Sequence, residues 1–207
     1  MEVKTLFPVG FYSNCYFFEN DEFAFIVDPG EFSGKLKSLI DLRPNKKFVI
    51  LLTHGHFDHI LGVAKIKEYV PCTVVISKED ALMLSDADLS LNNAFENSEM
   101  QIPVTPDITV TDGEQLDFGG TKIDVMITPG HTNGSTIYLV DDIMFSGDTL
   151  FCMSIGRTDF PNGSDQKMRE SLKRLKNIQK DYRLLSGHGE ASTLNNEKKN
   201  NYFLVCI

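Results

Sequence analysis

The sequence predicts a mixed α/β domain, and three features of its patterning carry that expectation. Short β-rich apolar runs bounded by turn residues open the chain, at Val3–Phe7, Cys15–Phe18 and Phe23–Val27. Strand and helix patterns then alternate from Phe48 to Asp80, and a second group of strands with hairpin turns begins at Ile108. No solenoid-period repeat, low-complexity tract or linker interrupts the 207 residues, so one domain over 1–207 is expected.

The elements follow from local chemistry. Turns at Val9-Gly10 and Glu19–Glu22 separate the first three strands, and the third ends in Asp28-Pro29-Gly30. A helix over Ser33–Leu42 carries Leu36, Leu39 and Ile40 on one face, with Pro44 ending it. The apolar run Phe48–Leu52 reads as a buried strand. Next come a helix over Ile60–Tyr69, stopped by Pro71, and a strand over Cys72–Ile76. A further helix is expected to open at Ser77-Lys78-Glu79-Asp80, with Ser77 as N-cap and Asp80 as its capping-box partner.

Residues 85–106 are polar and Asn-rich and read either as a lid or as a plain surface connection. Strands return at Ile108–Val110, Glu114–Leu116, Thr121–Thr128, Ser135–Val140 and Ile143–Phe145. Hairpin turns are expected at Asp112-Gly113, Gly119-Gly120 and Asp141-Asp142. A basic helix over 165–180 places Leu172, Leu175 and Ile178 at core spacing. A last strand, Arg183–Ser186, precedes a helix over Thr193–Asn201.

Composition narrows the function. A hydrophobic share of 42% and a charged share of 24% fit an ordinary globular protein. A net charge of -9 argues against a nucleic-acid surface, which would need clustered Lys and Arg. No apolar run approaches the ~20 residues of a membrane helix. Met1-Glu2-Val3-Lys4 does not resemble a signal peptide, so a cytoplasmic location is expected. Cys15, Cys72, Cys152 and Cys206 form no CxxC pair and read as small apolar residues rather than disulfide partners, although Cys152 is close enough to Asp148 to line a site there.

The chemistry concentrates in Thr53-His54-Gly55-His56-Phe57-Asp58-His59, where a buried strand breaks off into three of the chain's five histidines. Residues two apart in extended chain face the same way, so His54 and His56 can share one cation. Asp58 and His59 follow where the chain turns, and point towards a second. His131 and His188 each follow a glycine at the end of an apolar run, and Asp148 ends another in Ser146-Gly147-Asp148. His54, His56 and His131 on one divalent ion, Asp58, His59 and His188 on the other, and Asp148 between them leave each ion an open position.

Such a pair suits hydrolysis of a carbonyl or phosphoryl centre by water held between the ions, with Asp58 as catalytic carboxylate as well as ligand. Neither a G-x-S-x-G elbow nor a Walker-type loop offers a competing chemistry. Nitrogen and oxygen donors fit Zn best, with Fe or Mn compatible. Asp28 either orients a ligand histidine or simply caps the Pro29-Gly30 turn.

The same residues resemble the metallo-β-lactamase superfamily. Thr53–His59 is similar to its T-H-x-H-x-D-H signature. Pro129-Gly130-His131-Thr132, Ser146-Gly147-Asp148 and Gly187-His188-Gly189 resemble its later motifs, and Asn14-Cys15-Tyr16 and Val27-Asp28-Pro29-Gly30 its opening strands. The resemblance implies a four-layer αββα sandwich with the metal site at one edge.

Segments Ser154–Ser164 and Asn196–Leu204 are similar to compact bacterial glyoxalase II-like hydrolases. That implies a small thioester substrate such as S-lactoylglutathione. The long form's added helical domain, which carries basic glutathione contacts, is not expected here. Arg157 is the candidate contact for a charged substrate, against the alternative of a structural ion pair with Asp159. Gly156-Arg157-Thr158-Asp159 also resembles persulfide dioxygenases, which use a single iron, and lactonase or phosphodiesterase activity is a further alternative on the same scaffold. Oligomeric state has no signal in the sequence.

Overall fold

The computed structural model describes residues 1–8, 10–95 and 99–207. Val9 of the expected Val9-Gly10 turn, and residues 96–98 of the 85–106 segment, lie outside the described residues. The first sheet holds β1 (Lys4–Leu6), β2 (Cys15–Glu19), β3 (Phe23–Val27), β4 (Lys47–Leu51), β5 (Cys72–Ser77) and β6 (Ile108–Val110), adjacent in that order. Strands β1 to β3 pair antiparallel, whereas β3 to β6 pair parallel. Parallel neighbours need crossovers. These are α1 (Gly34–Asp41) between β3 and β4, then α2 (Phe57–Ile60) and α3 (Val63–Tyr69) between β4 and β5.

Burial on both faces explains why the parallel strands read as unbroken apolar runs. In β3, Phe25 and Val27 face the second sheet, while Ala24 and Ile26 face the helices together with Leu36 and Ile66. The second sheet runs β14 (Ser192–Thr193), β13 (Arg183–Ser186), β10 (Ile143–Gly147), β9 (Thr136–Val140), β8 (Thr121–Ile127) and β7 (Gln115–Phe118). A small hairpin of β11 (Leu150–Phe151) and β12 (Ser154–Ile155) stands apart from it.

Between the sheets, Phe18 stacks on both Phe25 and Phe145, with ring centroids 4.6 and 5.4 Å apart. The outer face of the second sheet meets α4 (Asp165–Asn177), α5 (Leu194–Asn200) and α6 (Tyr202–Val205) through Met144, Leu172, Leu175, Leu184 and Leu204. The layers are therefore helix, sheet, sheet, helix, as expected.

Several boundaries move, each for a local reason. The helix expected over Ile60–Tyr69 begins earlier and breaks at Gly62, whose N–H donates to the Pro29 carbonyl at 2.9 Å. A Cβ at Gly62 would lie 2.5 Å from that same oxygen, so only glycine allows the approach. The expected helix at Ser77 is instead the end of β5 followed by one 3-10 turn, Ala81–Leu84. Ser77 Oγ accepts from Asp80 N–H at 3.3 Å as a capping box would require, but the Asp80 carboxylate is buried and bonded to other loops instead of returning to Ser77. The basic helix stops at Asn177 because Ile178 is extended, and the C-terminal helix starts after its cap, Thr193.

Candidate metal centre

The candidate ligands lie in the loops and the one-turn helix that follow strand ends, and strand direction gathers those ends on one edge. Parallel β3 and β4 deliver Asp28 and Thr53–His56 side by side, and α2 carries Asp58 and His59 in its single turn. In the second sheet, β10 and β13 run parallel and release Asp148 and His188 together, while His131 lies in the β8–β9 loop. The carboxyl ends of parallel strands are the usual place for ligands in open α/β sheets. A bulge in β10 between Phe145 and Gly147 re-aims the chain just before Asp148. Gly147 sits there at φ +48°, and a Cβ on it would come within 2.3 Å of Thr53 Oγ1.

The donor atoms converge in two overlapping groups. His54 Nε2 is 3.1 Å from His56 Nδ1, which is 2.8 Å from His131 Nε2. In the other half, His188 Nε2 lies 3.1 Å and His59 Nε2 3.7 Å from Asp58 Oδ2. Asp148 spans both: Oδ1 is 3.3 Å from His59 Nε2, and Oδ2 is 3.6 Å from each of His131 Nε2 and His188 Nε2. One ligand atom each from His54, His56 and His131, or from Asp58, His59 and His188, fits within a span of 4.8 Å.

Two independent features suit such a cluster to cations. Among the described residues, His59 Nε2 and Asp148 Oδ1 are buried 3.3 Å apart without an aligned hydrogen bond, a spacing that suits a cation held between them. Burial and the neighbouring histidines also drive His54 well below the usual imidazole range, and burial with His131 takes His56 down to about 3. Those rings are neutral at pH 7 and keep lone pairs for coordination. At His59 burial opposes charge, but Asp58, Asp148 and Asp28 outweigh it and raise the pKa. Divalent Zn, Fe or Mn would each fit this nitrogen and oxygen set.

The surroundings fix tautomers. His131 Nδ1 lies 2.7 Å from the Arg157 carbonyl, an acceptor only, so Nε2 is left with its lone pair facing the cluster. Thr53 Oγ1 donates to Asp28 Oδ2 at 2.6 Å and thus accepts from His54 Nδ1 at 3.2 Å. Asp28 Oδ2 also lies 3.0 Å from His59 Nδ1, although that ring nitrogen is not aligned for a full hydrogen bond. Of the two readings of Asp28, the contact with His59 is present, and the turn bond from Gly30 N–H goes to its backbone carbonyl instead.

Other supports have roles that the sequence did not assign. Asp80 accepts from Gly55 N–H, Thr132 Oγ1 and Gly134 N–H, tying the loop of His54 and His56 to that of His131. Asn14 and Tyr16 donate to the Ser186 carbonyl, and Asn14 also to that of Gly189, clamping the turn that bears His188. Gly187 must lack a side chain, since its Cβ would stand 2.1 Å from Asp148 Oδ1. The nearest signals were Asn14-Cys15-Tyr16 and the glycines beside His54, His56, His131 and His188.

Above the cluster opens a cavity of about 400 Å³, onto which His56, Asp58, His131, Asp148 and His188 face. Its wall includes Leu91 and Phe95, so part of the 85–106 segment borders the site rather than merely connecting elements. Arg157 lines the cavity too, but its guanidinium forms a two-pronged pair with Asp159 at 2.6 and 2.7 Å. Cys152 is not among the lining residues, and all four cysteines are free.

Two packed sheets with a His/Asp donor cluster at one edge, opening to a cavity, define a metal-dependent hydrolase. The chain belongs to the metallo-beta-lactamase superfamily, whose profile matches residues 8–188. A Bacillus subtilis protein described as probable metallo-hydrolase YqgX is 33% identical over 201 residues, covering 95% of each chain. Hydroxyacylglutathione hydrolase GloC of Haemophilus influenzae is 29% identical over 208 residues, covering 99% of this chain and 98% of its own.

Among solved structures, the BLEG-1 B3 metallo-beta-lactamase superposes with a TM-score of 0.89 at 31% identity, covering 98% and 99% of the two chains. TTHA1623 in a di-iron-bound form gives a TM-score of 0.84 at 33% identity over 99% and 100%. Among the described residues no helix is long and apolar enough to cross a membrane.

Proposed function

We propose that the chain hydrolyses a small thioester at a two-metal centre. His54, His56 and His131 would hold one divalent ion, Asp58, His59 and His188 the other, and Asp148 both. When bound, the ions would supply a water acidic enough to attack at neutral pH and would stabilise charge on the attacked carbonyl. The observation that carries this reading is the convergence of these seven residues' donor atoms beneath an open cavity, with His59 Nε2 and Asp148 Oδ1 buried against each other at 3.3 Å.

The protein's own residues contribute orientation. Asp28 lies against His59 Nδ1, the Arg157 carbonyl holds the tautomer of His131, and Asp58 beside His188 presents a carboxylate to the cavity. Water is the nucleophile in this reading, and among the described residues no cysteine or serine lines the cavity. Likeness to GloC supports a thioester over a lactone or phosphodiester, and likeness to the di-iron TTHA1623 supports two ions over one.

Elemental analysis of purified protein, followed by a thioester assay on metal-replete enzyme, tests the reading. About two metals per chain and cleavage of a thioester are expected. About one iron per chain with no thioesterase activity would turn the reading to persulfide oxidation.

A further inference from the structure

We propose that the thioester taken at this site is carried on an apolar, uncharged arm rather than on a peptide thiol bearing carboxylates. This rests on the hydrolase reading and deepens it. Beyond the donor cluster, the cavity wall is dominated by Phe11, Phe57, Phe95, Phe151 and Phe160. They come from separate stretches of chain yet form connected surfaces. Phe57 packs on Phe11 and Phe95 at 5.7 and 4.7 Å, Phe160 on His56 at 5.6 Å, and Phe151 on His188 at 6.1 Å. Aromatic rings thus flank both halves of the donor cluster.

A carboxylate on the arm would find little to pair with. Among the described residues, Arg157 is the only Lys or Arg lining the cavity. Its Nε and Nη2 are on Asp159, and its face lies 4.0 Å from the Phe160 ring centroid. An incoming carboxylate would share an exposed guanidinium already neutralised by Asp159, which returns little, or sit desolvated against rings, which is unfavourable. An alkyl or aryl arm loses nothing by desolvation and gains about fourfold in binding per buried methylene.

The test uses metal-loaded enzyme and lactoyl thioesters of glutathione, of N-acetylcysteamine and of benzyl mercaptan. The benzyl thioester is expected to exceed the glutathione thioester in kcat/KM by about tenfold or more. Phe11 and Phe95 are 46% and 42% exposed, so their truncation should not disturb folding, which thermal melts will check. Phe11→Ala and Phe95→Ala should each reduce the benzyl-to-glutathione ratio about tenfold.

A glutathione thioester cleaved as well or better, or an unmoved ratio in both variants, overturns the proposal. Should the metal-loaded protein cleave no thioester, the hydrolase reading fails by itself. The pocket is then judged by titrating cobalt-loaded protein with benzyl mercaptan and with glutathione and following the visible spectrum. Tighter binding of benzyl mercaptan by about tenfold supports the apolar site, and equal or weaker binding overturns it.

Discussion

Asp28 and Asp58 sit on opposite sides of His59, one against each ring nitrogen, and they make separable predictions. Asp28→Asn keeps the backbone comfortable, because φ +49° is a conformation asparagine tolerates. It replaces one acceptor by a donor facing Thr53 or His59, so metal affinity and kcat/KM should fall about 10- to 100-fold. Unchanged metal retention against a graded chelator would reduce Asp28 to a turn residue. Asp58→Ala removes a carboxylate from the cavity floor, and kcat should fall by at least about 10²-fold while metal content drops towards one per chain. Full activity in that variant would sink the catalytic assignment. The positions of these donors were legible because each ends an apolar run beside a glycine or turn. At Asp80 the local pattern accounts only for the bond from its N–H to Ser77 Oγ, because the partners of its carboxylate, Gly55, Thr132 and Gly134, are remote in sequence.

At the level of elements, the hairpin β11–β12 is held by the C-terminal helices. Glu197 is fully buried and accepts from Met153 N–H at 2.7 Å and from Asn201 Nδ2 at 2.9 Å, as well as from Ser192. Asn201 in turn donates to the Ser154 carbonyl at 3.0 Å. This anchor matters to the site because the hairpin carries Phe151 and leads to the Arg157 carbonyl that holds His131. Glu197→Ala should therefore cost about 1–3 kcal/mol in urea unfolding and also lower kcat/KM. An effect on stability alone would uncouple the hairpin from the site.

Burial pushes the Glu197 carboxyl up, but hydrogen bonds from Ser192, Met153, Asn201 and Asn196 outweigh it and leave the pKa lowered. Its contribution is therefore complete above the unfolded value of about 4.3 and is lost as pH falls through the folded one. The stability gap between wild type and Glu197→Gln should shrink below about pH 4. A constant gap across that range would mean that the charge is irrelevant. The hairpin itself had no two-residue periodicity to reveal it, since each of its strands is only two residues long. Longer strands such as β8, with alternating burial, were readable almost to the residue.

For the whole molecule, the question is whether the fold needs metal bound at the donor cluster. Three apolar clusters fill the space between the sheets and under each helical layer, and none includes a candidate ligand. The layered architecture was legible for the same reason: unbroken runs in β3 and β4 mark strands covered on both faces, while the sheet order depends on long-range pairing that no local pattern carries. The donor cluster instead sits at one edge, where loops from both sheets meet, and there the repulsion of Asp58 and Asp148 is relieved by His59 and His188. Stripping the metals should thus leave the far-UV circular dichroism spectrum nearly unchanged and abolish activity, with recovery on adding back Zn or Fe. Thermal stability should still fall, because ions that bind only the native state add RT ln(1 + [L]/Kd), about 2.7 kcal/mol at a hundredfold excess over Kd. Hydrogen exchange should localise the loosening to residues 53–59, 128–135 and 186–189, with β3, β4 and β9 protected as before. Global loss of structure on chelation would show instead that the edge cluster, and not the apolar layers, holds the sandwich together.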